Sequence, residues 1–321
     1  MFCRDDIIKV LIPNVINAGY DYRLTEPAGV GDFVNVSVAN KKFAGLVIGK
    51  GDGNVPAEKI KPILIKYNKS LPKTTTDWIF KMSEWTMMPP GSILKLMTNA
   101  ADLEQKPRRT KTAEYFDTGL VALNDDQRAA ADTLDLDGFS VRLLDGVTGS
   151  GKTQVYFDAV WRTYKKGKSV LIMMPEIALT AQFITRFKDR FGHPPTVWHS
   201  NLTPAQRRDI WHGVLDGDIK IVVGTRSALF LPFQNLGLIV VDEEHDASYK
   251  QEEMGNYHAR DMAILLAKIS DFPTILASAT PSFETIRNVR SGKYLSSKLT
   301  SRFGGAIMPD IEIVDLRKKQ L

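Results

Sequence analysis

Cysteine occurs once, as Cys3, in a chain of 321 residues. That excludes an internal disulfide and any cysteine-rich zinc site built from these residues. No apolar run approaches the roughly 20 residues a membrane-spanning helix needs. Acidic residues interrupt the N-terminal MFCRDDIIKV, where a secretory signal requires an unbroken apolar segment, so the expected location is cytoplasmic, with no membrane partner. A charge excess of one sign is missing as well. The net charge is +5; residues 1–104 carry 13 Lys and Arg against 11 Asp and Glu, and residues 123–321 carry 25 against 24. Such a balance does not reveal a nucleic-acid ligand, and any basic groove must come from local clustering. There are no internal repeats or low-complexity segments. With 43% apolar and 25% charged residues, the composition is that of a globular protein long enough for two domains.

Against this background one glycine-rich stretch stands out. Val141 to Thr153 reads VRLLDGVTGSGKT, and its core is Gly146, Val147, Thr148, Gly149, Ser150, Gly151, Lys152 and Thr153. These residues fill every fixed position of the phosphate-loop pattern G-x-x-x-x-G-K-[ST]. An apolar run precedes the loop, as a buried strand would, and helix-compatible residues follow it. Glycines there let backbone N–H groups turn toward a polyphosphate at the positive end of a helix. Lys152 is expected to reach the β- and γ-phosphates and the Thr153 hydroxyl to ligate magnesium. The motif predicts a chain that binds a nucleoside triphosphate.

Residues 1–66 read as β-rich, with strands at Ile7 to Ile12, Asp32 to Val38 and Lys42 to Lys50, which suggests a small barrel. From Thr76 the spacing of Trp78, Phe80, Met82 and Trp85 predicts a helix. A break follows at Pro89-Pro90-Gly91, then a second helix from Ser92 to Leu103. These helices are expected to buttress the barrel. Residues 105–121 read as a linker in which Lys106, Arg108, Arg109 and Lys111 cluster, as a solvated tether or as a contact to a phosphate backbone. From Leu123 strands and helices alternate: strands at 141–145, 169–174, 196–199, 219–224, 237–242 and 273–278, helices at about 126–135, 152–165, 176–191, 203–215 and 257–269. Continuous apolar runs such as SVLIMMP and LGLIVVDEEH fit a parallel sheet buried on both faces. The expected fold of 122–321 is therefore a doubly wound α/β domain with its ligand site at the strand carboxyl ends.

Asp242-Glu243-Glu244-His245 follows the apolar strand LGLIVV. An Asp at that tip can hold the magnesium that Thr153 also touches, and Glu243 can orient and deprotonate an attacking water. Adjacent carboxylates repel unless a cation lies nearby. Two more stretches, Pro175 to Gln182 and Gly224 to Phe230, also follow strands. Their backbone N–H groups, Thr180, Thr225 and Arg226 can hold phosphates of a single strand, or act as an ordinary cap and turn. Ser278-Ala279-Thr280-Pro281-Ser282 is either a switch that senses the γ-phosphate or a helix cap.

This series resembles superfamily 2 helicases, and in detail the bacterial replication-restart helicases. The resemblance rests on LLDGVTGSGKTQVY, MMPEIALTAQF, GTRSALFLPF, VDEEHDASYKQEE, YHARDMA and ASATPSFET, from Leu123 to about Arg317. It implies a RecA-like helicase lobe over 122–321, preceded at 1–104 by a small β-rich, barrel-like DNA-binding domain that captures a 3′ end. It also implies an ATP-dependent 3′-5′ DNA helicase acting at forks and D-loops, with ATP and magnesium as cofactors. Single-strand-binding protein and other primosome proteins are the implied partners of a monomer. Gln127 would read the adenine, and His245 would link the nucleotide and DNA sites; without the family it is a capped strand-end histidine. Asp246 to Arg260 would be a DNA-sensing loop whose Tyr249 and Tyr257, flanked by Lys250 and Arg260, stack on bases or simply pack. Tyr20-Asp21-Tyr22 and Lys61 would form the 3′-end pocket, Asp21 accepting the terminal hydroxyl and Tyr22 touching the base; a turn-forming Asp between two core tyrosines is the alternative. The family's Pro-Phe-Gly reads Ser37-Val38-Ala39 here, and the linker is too short for its winged helix. The second lobe, its zinc-binding cysteines and an arginine finger are expected beyond Leu321. Rival expectations are another superfamily 2 translocase or a non-catalytic DNA-binding protein.

Overall fold

The computed structural model describes residues 1–15, 19–98, 103–104, 113–252 and 255–302. The linker cations Lys106, Arg108, Arg109 and Lys111, and residues 303–317 at the end of the resembling segment, lie outside the described residues.

The N-terminal unit is an antiparallel sheet of β1 (Ile7–Leu11), β2 (Tyr20–Arg23), β3 (Asp32–Val38), β4 (Lys41–Lys50) and β5 (Ile65–Ser70), in the order β2-β1-β4-β3-β5. Successive residues point to opposite faces, and here both faces are covered. Val34 and Val36 enter one core with Ile8, Val10 and Val47, while Phe33 and Leu46 enter another. The Arg23 N–H donates to Lys61 O and the Ile63 N–H to Arg23 O, which ties the β2 edge to the segment leading into β5. Ala39 and Asn40, at φ 46° and 64°, make the two-residue turn between β3 and β4. Two left-handed residues in succession match the twist of the flanking strands.

Helix α1 (Lys73–Thr86) ends where Met87 turns left-handed, and α2 (Pro90–Met97) begins with Pro90 in its first turn. Pro90 and Gly91 thus start the second helix rather than break it, because a proline at that position gives up an N–H that has no partner anyway. The two helices do not serve the barrel alone, contrary to expectation. Trp78 is fully buried between the two units; its indole N–H donates to Met262 O at 3.0 Å and its ring lies 5.6 Å from Phe230. From the other side the Trp211 indole N–H donates to Met97 O at 2.7 Å. One apolar core therefore runs from the sheet of the first unit into the second.

The second unit has α3 (Asp125–Asp132), β6 (Val141–Gly146), α4 (Lys152–Lys165), β7 (Ser169–Met173), α5 (Ala181–Phe191), β8 (Thr196–Trp198), α6 (Pro204–Leu215), β9 (Ile221–Gly224) and β10 (Leu236–Asp242). A short hairpin follows, β11 (Lys250–Gln251) with β12 (Tyr257–His258), and then α7 (Ala259–Ser270), β13 (Thr274–Ser278), α8 (Phe283–Arg290) and β14 (Leu295–Leu299). The main sheet runs β14-β6-β13-β10-β7-β9-β8, and every neighbouring pair is parallel. Its central strands β7, β10 and β13 are almost wholly buried, and mostly apolar, because helices cover both faces. This is the doubly wound α/β fold the alternation predicts. Parallel pairing brings the carboxyl ends of β6, β13 and β10 side by side. Among the described residues, no helix is long and apolar enough to cross a membrane.

Candidate nucleotide site and adjoining groove

β6 ends at Gly146, and α4 begins at Lys152 with Gly151 as its N-cap at φ 86°. A Cβ at Gly151 would be strained and would run into the Gln127 amide nitrogen. Lys152 is buried, and its ammonium donates to Gly146 O at 2.7 Å. Burial lowers its pKa, against the opposing pull of Glu243, Asp242 and Asp145. Loop and acidic strand tip thus share one electrostatic field. Ser150 Oγ is buried within the loop and has no hydrogen-bond partner among the described residues.

Asp242 closes β10. Tyr156, one helical turn beyond Lys152 on α4, donates its hydroxyl to Asp242 Oδ2 at 2.8 Å and also interacts with the Thr153 hydroxyl. Tyr156 thus holds Asp242 directly, and the Thr153 hydroxyl acts on the same phenol. Burial, with the neighbouring Glu243 charge, pushes the Asp242 carboxyl up to about 6, although the Tyr156 hydrogen bond works the other way. Glu243 follows at φ 48°, a left-handed conformation costly for a residue with a Cβ. A half-buried carboxylate with a raised pKa, beside the buried Lys152, fits a divalent cation carrying phosphate oxygens. Among the described residues no three His, Cys, Asp or Glu side chains gather into a metal cluster.

His245 Nδ1 lies 2.8 Å from Ser278 Oγ, which accepts the Thr280 N–H at 3.0 Å. The histidine thus ties the acidic motif to the end of β13. Gln127 is closed in rather than open to a base. It caps α3 with Asn124, is almost fully buried, and donates its amide to Ser150 O at 3.0 Å, so it braces the phosphate loop.

Arg260 departs furthest from the sequence-based expectation. It is buried, not DNA-facing, and pairs with Glu244 Oε2 and Asp261 Oδ1 at 2.7 and 2.8 Å. Burial alone would lower its pKa, but Asp261 and Glu244 more than offset that and raise it. Glu244, which the sequence did not single out, has no exposed surface. It also accepts from the Ser282 N–H at 2.7 Å and from Thr285 Oγ1 at 3.0 Å. An acidic residue directly after a buried strand, in a motif with two other acids, was its only signal. Tyr249 and Tyr257 are buried too, so neither ring is free to stack on a base.

Arg226, in the turn after β9, donates through Nη1 to Ser248 O at 3.2 Å and to Lys250 O at 2.8 Å. Thr225 Oγ1 lies 3.4 Å from Ser227 Oγ, and Lys250 is exposed and paired with Glu252. Thr180 is exposed and caps α5. A groove of about 430 Å³ runs past Glu176, Arg207, Thr225, Arg226, Ser248 and Gln251, and Leu96 of α2 forms part of its wall.

In the first unit Tyr22 is a core residue whose hydroxyl donates to Ser37 O at 3.0 Å, contrary to a base-contacting role. Burial, then the nearby Tyr20, pushes its phenol up to about 12. Tyr20 is half-buried against the same core. Asp21 sits 3.9 Å from Lys9 Nζ and accepts the Asp52 N–H at 3.4 Å, while the Lys61 side chain is exposed.

The profile of the DEAD/DEAH box helicase family matches residues 124–289, and that of the 3′DNA-binding domain (3′BD) of PriA matches residues 9–99. The replication restart protein PriA of Rickettsia prowazekii (strain Madrid E) is 42% identical over 319 residues, 98% of this chain and 49% of that protein. PriA of Bacillus subtilis (strain 168) is 44% identical over 206 residues, 63% of this chain and 26% of its own. PriA of Haemophilus influenzae is 49% identical over 184 residues, 57% and 25% of the two chains. The chain spans about half the length of the Rickettsia relatives it matches. Because the phosphate loop, the acidic strand tip and the serine–histidine contact all fall within the matched segment, the chain belongs to the DEAD/DEAH box helicase family.

Proposed function

We propose that residues 122–321 are the first motor lobe of an ATP-dependent DNA helicase that moves 3′ to 5′ along single-stranded DNA. Residues 1–104 are, in this reading, the module that captures a DNA 3′ end at stalled or abandoned replication forks. The whole protein then starts primosome assembly for replication restart, with primosome proteins and single-strand-binding protein as its partners. One observation carries the ATP assignment: Tyr156, on the helix that the phosphate loop opens, bonds Asp242 at the acidic strand tip, so that tip lies beside the buried Lys152.

Each residue has a definite task. Lys152 leaves Gly146 O to neutralise a phosphate oxygen, and the loop N–H groups orient the polyphosphate. Thr153 and Asp242 would hold magnesium, which supplies charge neutralisation on the phosphates. Glu243 orients the attacking water and takes its proton. An arginine finger is worth about 10³–10⁵ in turnover. Binding of nucleotide and of forked DNA by the residues named here does not depend on such a finger.

Titration with a fluorescent ATP analogue and magnesium tests the assignment. Lys152→Ala and Asp242→Asn each weaken binding at least tenfold. Equal affinity in both variants and the parent would end the ATP reading. Competition between a DNA fork and structured RNA separates a 3′-DNA-end module from an RNA-directed one.

A further inference from the structure

We propose that Tyr156 is a positioning residue that makes the nucleotide site selective for a small, strictly octahedral cation, magnesium, over a larger one such as calcium. The proposal rests on reading the phosphate loop and the acidic strand tip as a site for ATP and magnesium. Each oxygen of Asp242 accepts a hydrogen bond from the protein. Its main-chain O takes the Tyr249 hydroxyl at 2.6 Å, Oδ1 takes the Glu243 N–H at 3.0 Å, and Oδ2 takes the Tyr156 hydroxyl at 2.8 Å. Of these three, only the Tyr156 bond ties the carboxylate to α4, the helix that carries Lys152 and Thr153.

Thr153 and Tyr156 lie three residues apart, on one face of that helix. The Thr153 hydroxyl acts on the phenol that holds Asp242. Tyr156 has little freedom to follow a moving partner: it has no exposed surface, and the Phe157 ring meets it edge-on at 5.3 Å. The phenol therefore sets the spacing between the Thr153 hydroxyl and the Asp242 carboxylate. Both residues are only half-buried, so an ion can reach them. A carboxylate oxygen has two acceptor positions, and one donor on each leaves the other free. Magnesium takes its oxygens at about 2.0–2.1 Å in a near-ideal octahedron, whereas calcium takes more of them, at about 2.3–2.6 Å, in a looser arrangement. A fixed spacing between two protein oxygens favours the first ion. A carboxylate free to swing serves the second as well. The hydrogen-bond partners of a ligating carboxylate are typically worth about 10–100-fold in metal affinity.

The test measures the dissociation constant of a fluorescent ATP analogue on the full 321-residue chain in magnesium, in calcium and in EDTA. The parent chain binds at least fivefold more tightly in magnesium than in calcium. Tyr156→Phe, which keeps the ring and deletes the hydroxyl, weakens binding in magnesium by about tenfold or more. Binding in calcium falls less than threefold and binding in EDTA stays within twofold, so the preference for magnesium is lost. Tyr115→Phe, which deletes another buried hydroxyl, at Pro194 O, keeps all three constants. A thermal melt of each nucleotide-free variant reports whether it folds. An equal loss in magnesium, calcium and EDTA, or a Tyr156→Phe chain that does not fold, makes Tyr156 a structural residue alone and overturns the proposal. A Tyr156→Phe chain with the parent's preference, or a parent that binds the analogue but prefers neither ion, also overturns it and leaves the ATP reading standing. A parent chain that binds no analogue in any of the three conditions removes the ATP reading and the proposal together.

Discussion

Replacing Glu244 by alanine isolates the energetic weight of a residue that touches neither loop nor groove. Its carboxylate has no exposed surface and accepts from Arg260, the Ser282 N–H, Ser282 Oγ and Thr285 Oγ1 at 2.7, 2.7, 3.1 and 3.0 Å. Deleting one member of a buried ion pair costs about 3–5 kcal/mol, because the other charge stays desolvated. Arg260 would keep Asp261 at 2.8 Å, but that carboxylate is 45% exposed and contributes at most about 1 kcal/mol. The stranded Ser282 N–H and Thr285 hydroxyl push the other way by a similar amount, so the net loss remains about 3–5 kcal/mol. At about 2–4 °C per kcal/mol, Tm falls by about 6–20 °C. Urea and thermal unfolding of Glu244→Ala measure this. The double variant Glu244→Ala/Arg260→Ala should recover part of the loss, since no buried charge is then left alone. A single-variant loss below about 1 kcal/mol, or a double variant whose losses simply add, would refute the argument that the pair ties the acidic motif to α7 and α8.

Three further outcomes are expected. The Asp242 pKa is about 6 in the fold against an ordinary 3.8, so its favourable contribution is complete below about pH 3.8 and lost as pH rises through 6. Asp242→Asn should flatten the decline in urea stability of the nucleotide-free protein between about pH 4 and 6, and an unchanged slope would remove the burial argument. Trp78→Ala vacates a fully buried site where the units meet and should cost about 3–5 kcal/mol. Limited proteolysis should then cut between the units, and a resistant variant would show that α1 does not join them. Ala39→Gly relieves a left-handed alanine at φ 46° and should raise stability by up to about 1 kcal/mol in urea titrations. A destabilised variant would contradict the assigned turn.

By itself the sequence determined the parts whose signals are local. The phosphate loop, the acidic tip of β10 and the strand–helix alternation from 122 onward depend on short-range chemistry: glycines where the backbone must turn in, apolar runs where both faces of a strand are covered. β14 and α8 escaped for the same reason. LSSKL is half polar at a sheet edge, and α8 buries only Thr285. Tertiary structure alone decided which polar and aromatic side chains face a ligand and which face each other. Gln127, Tyr22, Tyr249, Tyr257 and Arg260 have the chemistry of contact residues, yet the fold surrounds all five. The buried Glu244 that holds Arg260 sits 16 residues away in the chain. Whether a tyrosine stacks on a base or anchors a carbonyl depends on desolvation by segments distant in sequence, and no local pattern carries that information.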